Sequence, residues 1–117
     1  MVSTKFAKLG EQKFAERTDT DGAGVLVAAT DGFQVIEALS FDNFDNSNLA
    51  VLTVKSGGAS GTKIWEMHID KSAGAGQTTH THIEFPNGLH SKKGENIYVS
   101  VATSTDWDIH ALYYDNQ

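Results

Sequence analysis

Not one of the 117 residues is a cysteine. That absence rules out a disulfide framework and any thiolate metal site, so stability has to come from packing, assembly or both. Basic residues are also scarce: nine Lys and Arg stand against fifteen Asp and Glu, a formal net charge of -6 with histidine neutral. Such a chain repels phosphate backbones and anionic lipid, which argues against nucleic acid and membrane surfaces as partners. Nowhere does the sequence hold the roughly 18 consecutive apolar residues that a transmembrane helix needs. The stretch from Met1 to Gly10 carries lysines and no continuous apolar run, so no cleavable signal peptide is expected. A Gly-x-Ser-x-Gly elbow and a Walker loop are both missing, and nothing in the spacing calls for a cofactor or an enzyme.

What is present is a repeated alternation of apolar and polar residues, broken at short intervals by turn formers. Hydrophobic residues make up 39% of the chain, enough for one modest core with much solvated or partner-covered surface. Residues 1–24 are polar, with Phe6, Leu9 and Phe14 as their large apolar side chains. A helix over Lys5 to Arg17 would be interrupted by Gly10, so an extended or partly helical arm is the expectation, its aromatic residues anchoring on a neighbour or on their own core. Residues 25–117 are expected to form one domain.

Strands are expected at Val25 to Ala29, Phe33 to Phe41, Leu49 to Lys55, Thr62 to Ile69, Thr78 to Phe85, Ile97 to Thr103 and Trp107 to Tyr114. Asp31-Gly32 predicts a hairpin between the first two, and the Asx-rich run Asp42 to Asn48 predicts a loop that lacks the glycine and terminal Glu of an EF-hand. The single proline opens a second turn, Pro86-Asn87-Gly88. Seven short strands without a convincing helix argue for an antiparallel β-sandwich, immunoglobulin-like or jelly-roll-like.

The stretch Thr62 to Phe85 reads as a hairpin with one apolar and one ionisable face per strand. In the register that matches like faces, Trp65 lies opposite Ile83 and Met67 opposite Thr81, while His68 meets His80 and Glu66 meets His82. Two histidines at i and i+2 on a strand project to one side, so His68, His80, His82 and Glu66 form a candidate metal set. Gly74, His80 and His82 also echo the first half of the cupin metal motif, but its later histidine is missing. The competing reading of the same residues is a solvated or subunit-facing sheet face. A third reading has the histidines tune assembly as they change charge between about pH 5 and 8.

The last two strands can be paired with Ile97, Val99, Val101, Trp107, Ile109, Ala111 and Tyr113 on one face. Tyr98, Leu112 and Tyr114 then share the opposite face with His110, an apolar outer patch suited to subunit contact.

Taken together, Leu9-Gly10-Glu11-Gln12, Thr18 to Thr20, Val35 to Asn43, Gly94-Glu95-Asn96-Ile97-Tyr98-Val99 and Ile109 to Tyr114 resemble a pattern shared by small β-sandwich virion proteins of tailed bacteriophages. The resemblance implies a non-enzymatic structural protein that decorates or cements a capsid as a symmetric oligomer such as a trimer. Its partners would be itself and the major capsid protein, and its location the virion surface after synthesis in the host cytoplasm. Contacts would fall on Phe6, Leu9, Phe14, Tyr98, Leu112 and Tyr114. A tail or fibre component, a metal-binding cupin-like protein and a carbohydrate-binding jelly roll are the alternatives.

Overall fold

The structure, a computed structural model, describes residues 12–116. Among these residues every regular element is a strand: β1 (Lys13–Thr18), β2 (Gly24–Val27), β3 (Phe33–Asn43), β4 (Ala50–Ser56), β5 (Thr62–Ile69), β6 (Thr79–His90), β7 (Ile97–Ala102) and β8 (Trp107–Asn116). They form two four-stranded antiparallel sheets, ordered β1-β8-β3-β6 and β2-β7-β4-β5. Eight strands in two sheets, with successive strands alternating between layers almost throughout, make the sandwich a jelly roll rather than an immunoglobulin fold. The eighth strand, beyond the seven expected, is β1, which lies within the segment read as an arm. Phe6 and Leu9 lie outside the described residues.

The alternation that marked the strands also decides what they bury. In β4, Ala50, Leu52, Val54 and Ser56 are buried while Val51, Thr53 and Lys55 are partly exposed, so this strand is one-sided rather than apolar on both faces. Ile97 and Val99 of β7, and Trp107, Ile109 and Ala111 of β8, all face the core as their parity required. They pack with Ile36, Leu39 and Phe41 from the central strand β3 and with Leu52, Val54 and Ile69 from the other layer. Phe41 and Trp107 stack at 6.0 Å between ring centroids, and Trp65 meets Phe85 edge-on at 5.4 Å. Offset and edge-on pairs of this kind add about 0.5–1.5 kcal/mol to the area they bury.

Partner choice departs from the expected hairpins. β5 pairs with β4, placing Trp65 beside Val54 and His68 beside Val51. β6 pairs instead with β3, placing His80 beside Asp42 and His82 beside Ser40. The expected pairing of β5 with β6 is therefore overturned: residues 70–78 carry the chain from one sheet to the other. The physical reason lies in the loops. Residues 57–61 close a tight turn, with Gly61 N–H donating to the Gly58 carbonyl at 2.8 Å, and so hold β5 against β4. The nine residues after Ile69 are long enough to cross the roughly 10 Å between layers. The apolar faces of β5 and β6 do meet, but across the core, through Trp65 and Phe85.

Two other expected hairpins change in the same way. β2 pairs with β7 and β3 with β8, so Asp31-Gly32 reverses the chain between layers. β7 pairs with β4 and β2, so Tyr98 lies on the other sheet from Leu112 and Tyr114, and the three do not share one outer patch. Pro86-Asn87-Gly88 does not end a strand either. β6 runs on to His90, and its register against β3 jumps from Glu84 opposite Ala38 to Leu89 opposite Ile36, so four residues bulge against Glu37. Proline is tolerated there because β6 is an edge strand that need not donate outward.

Gly88 sits in this bulge at φ 76°, and a Cβ placed on it would come 2.4 Å from Val35 Cγ1. Gly76 has the same φ of 76° with open space around it. Both Gly→Ala changes incur the left-handed penalty of about 1 kcal/mol. Only G88A adds overpacking of about 1–3 kcal/mol. In urea denaturation, G88A is expected to lose distinctly more stability than G76A; equal losses would show that β6 does not bulge against Val35.

Candidate functional site

The ionisable residues gather on the outward face of β1-β8-β3-β6. Antiparallel registers fix them into cross-strand rows. One row runs Thr18, Asp108, Asp42, His80; the next Glu16, His110, Ser40, His82; the third Phe14, Leu112, Ala38, Glu84. Because β3 and β8 are the interior strands of this sheet, these positions are set by ladders on both sides and not by loops.

Each histidine has a defined neighbour. His80 Nδ1 lies 2.6 Å from Asp42 Oδ1, and His82 Nδ1 lies 2.7 Å from Ser40 Oγ. His82 Nε2 is also 3.6 Å from Glu84. His110 is held from three sides: Phe14 stacks on its ring at 5.6 Å, Nδ1 is 3.5 Å from Glu16, and Nε2 is 3.9 Å from Asp108. Exposed pairs of this type contribute about 0–1 kcal/mol each, so they orient side chains more than they stabilise the fold.

The first of these rows contains a conflict. Asp42 and Asp108 are direct cross-strand partners, an arrangement that disfavours two ionised carboxylates. Burial, and then the Asp42 charge opposite, push the Asp108 carboxyl above the usual carboxylate range, while His110 pulls it back. Asp108 Oδ1 is buried and, among the described residues, has no hydrogen-bond partner.

Of the four expected metal ligands, His80 and His82 share this face, two residues apart on β6. His68 and Glu66 are on β5 in the other sheet, where they lie 3.6 Å apart and Glu66 also binds Lys63 at 3.2 Å. β5 pairs with β4 and β6 with β3, so the two pairs lie on different sheets and are not brought together as one set. Among the described residues, the group of three donors lying within 4.8 Å of one another is Asp42, Asp108 and His110. The expected loop began at Asp42, whereas Asp108 fell within the expected strand Trp107 to Tyr114. Their outward parity was readable from Ala38, Ser40, Asp42 and from Asp108, His110, Leu112; what was missing was that β3 and β8 are neighbours.

Alongside the acids runs an apolar strip. Phe14 is 59% exposed and Leu112 36%, and with Ala38, His82, His110 and Ala111 they border a hollow of about 170 Å³. Beyond it the β6 bulge opens a groove of about 580 Å³ bordered by Glu37, Glu84, Phe85, Pro86, His90 and Tyr114. Gln12 Nε2 donates to Glu37 Oε2 at 3.1 Å on this rim.

A buried polar knot fixes the end of β3 where Asp42 sits. Asn43 Nδ2 donates to the Asp70 carbonyl at 3.0 Å, and its Oδ1 accepts from Ser104 Oγ at 2.8 Å. The Asx-rich loop is as expected, and the Asp45 carboxylate is consumed within it. Asp45 accepts backbone N–H groups from Ser47 at 2.8 Å, Asn48 at 3.0 Å and Thr105 at 3.0 Å. Those donors, Thr105 first, hold its pKa down to about 2 from 3.8.

A carboxylate with a depressed pKa contributes stability that is present above its unfolded value and lost as pH falls through the folded one. Asp45 should therefore stabilise the fold fully above about pH 4 and lose that contribution between about pH 4 and pH 2. Asp45→Asn is expected to melt lower than the parent at neutral pH, with the gap closing as pH drops through this window. A gap that stays constant from pH 6 to pH 2 would contradict the assignment.

No protein-family model matches the chain, and no curated protein matches it in sequence. Among solved structures, it is similar to a chain in the acidic stable capsid structure of Helicobacter pylori bacteriophage KHP30. The TM-score is 0.57 at 18% identity, over 93% of this chain and 90% of that one. It is also similar to a chain of the virus-like particle of extra small virus from the giant freshwater prawn Macrobrachium rosenbergii, at TM-score 0.44 and 12% identity over 92% and 79%. A further likeness, at TM-score 0.43 and 11% identity over 92% and 87%, is to Bacillus endospore appendages, a family of disulfide-linked pili. At 18% identity the likeness to the KHP30 chain is one of fold.

Proposed function

We propose that this chain is a structural protein of a bacteriophage particle, a decoration or cement protein that binds the assembled head and stabilises it as a homo-oligomer such as a trimer. The observation that carries the reading is the end-to-end fold likeness to a chain of the KHP30 capsid structure, which spans nine-tenths of both chains. It agrees with the resemblance to small phage virion proteins drawn from the residues themselves.

The surface supports a contact role on the β1-β8-β3-β6 face. Phe14 and Leu112 are direct partners across β1 and β8 and stay exposed, so burying them on a neighbour gains apolar area that folding leaves in water. Histidines and carboxylates surround them as a polar rim, the usual anatomy of an interface. Phe6 and Leu9, in residues 1–11, and Tyr114 at the groove extend the same contact set in this reading. Tyr98 belongs to a second contact surface, since it lies on the outer side of the other sheet beside Val25 and Lys55. The major capsid protein is the partner, and burying these strips across subunits adds contact area without any chemistry.

The test uses the full chain and particles lacking it. The parent protein is expected to bind such particles and raise the temperature at which they release their genome. A Phe14→Ser, Leu112→Ser double variant, with unchanged far-ultraviolet circular dichroism, should bind at least about tenfold more weakly, since each exposed apolar side chain carries about 1 kcal/mol or more once covered. Binding unaffected by the double change would overturn the assignment of this face, and failure of the parent to bind would overturn the decoration role.

A further inference from the structure

We propose that Asp42, Asp108 and His110 form a binding site for one first-row divalent cation, of the Zn²⁺ or Mn²⁺ kind, on the outer face of β1-β8-β3-β6. The donor set mixes two carboxylates with an imidazole, which suits these ions better than the all-oxygen shells of Ca²⁺ or Mg²⁺. The three donor atoms lie within 4.8 Å of one another. Metal–ligand bonds of about 2.0–2.2 Å place donors about 3–4 Å apart, so modest side-chain rotation closes the site.

Three further features of the molecule fit a cation at this point. Among the described residues Asp108 Oδ1 is buried without a hydrogen-bond donor, while Oδ2 is the oxygen that faces His110. The opposed carboxylates Asp42 and Asp108 meet imidazoles, and among the described residues no lysine or arginine forms an ion pair with either. Finally, the outer partners are arranged as they are around bound metals. Glu16 faces His110 Nδ1 at 3.5 Å, which directs Nε2 toward Asp108, and His80 Nδ1 occupies Asp42 Oδ1, which leaves the second Asp42 oxygen for a ligand. Three protein donors leave coordination positions open, so water or a donor from a neighbouring subunit would complete the shell.

Isothermal titration of the full chain with Zn²⁺ and with Mn²⁺, paired with thermal melts in chelator, tests the site. The expected result is one saturable site per chain and a metal-dependent rise in melting temperature. D42N and D108N should each weaken binding by at least about tenfold. D108N should also melt higher than the parent in chelator, because it removes one of two opposed charges; that second readout shows the variant is folded. H68A, on the opposite sheet, should bind like the parent. The proposal is overturned by no saturable binding up to about 1 mM metal. It is equally overturned by binding that survives D42N and D108N and disappears in a His80→Ala, His82→Ala variant, which would mark adventitious histidine binding.

Discussion

The constraint on which everything else depends is that each strand has one apolar face and nothing within its own sheet can cover it. Neighbours in a sheet lie side by side with their apolar faces pointing the same way, so burial requires a second layer about 10 Å away. Phe41 and Trp107 on one sheet, and Leu52, Val54, Ile97 and Val99 on the other, are buried only because the layers close on each other. Once they close, parity settles the rest: every residue of the opposite parity is turned outward. The ionisable face is therefore a by-product of core formation. Glu16, Ser40, Asp42, Asp108 and His110 sit where they do because Leu39, Phe41, Ile109 and Ala111 face the other way.

That dependence explains which parts of the molecule were legible in the residues. Parity was local and readable: Ile97, Val99, Trp107, Ile109 and Ala111 are buried as the alternation required, and so are the turn chemistries around Asp45. Partner choice was not local. Asp31-Gly32, residues 70–78 and Ser104-Thr105-Asp106 all carry good reversal signals, but a reversal within a sheet and a crossing between sheets use the same residues. Only the complementarity of distant side chains, such as Trp65 with Phe85 and Phe41 with Trp107, separates the two. The Pro86-Asn87-Gly88 signal was real, but it marks a bulge in an edge strand and not a strand end.

The same distinction governs the candidate site. A histidine-rich face was legible, because His80 and His82 alternate with Thr81 and Ile83 whatever lies beside them. Which groups they meet depended on the ladder, and the ladder is with β3 and β8. His68 and Glu66 consequently fall away to the other sheet, while Asp42, which read as a loop residue, and Asp108, on a strand with no assigned neighbour in this sheet, become the centre of the row. On this face Phe14 and Leu112 are the apolar side chains left in water, set among acids and imidazoles that hydrate readily. In the proposed reading, this face of the jelly roll is the main surface that meets a neighbour.

The most direct measurement of that account is an image of the assembled particle at a resolution that traces strands. The account predicts jelly-roll density on the outside of the head, with the β1-β8-β3-β6 face turned toward a neighbouring subunit and Phe14 and Leu112 covered. Density showing that face open to solvent, with contacts made instead through β2-β7-β4-β5, would contradict it.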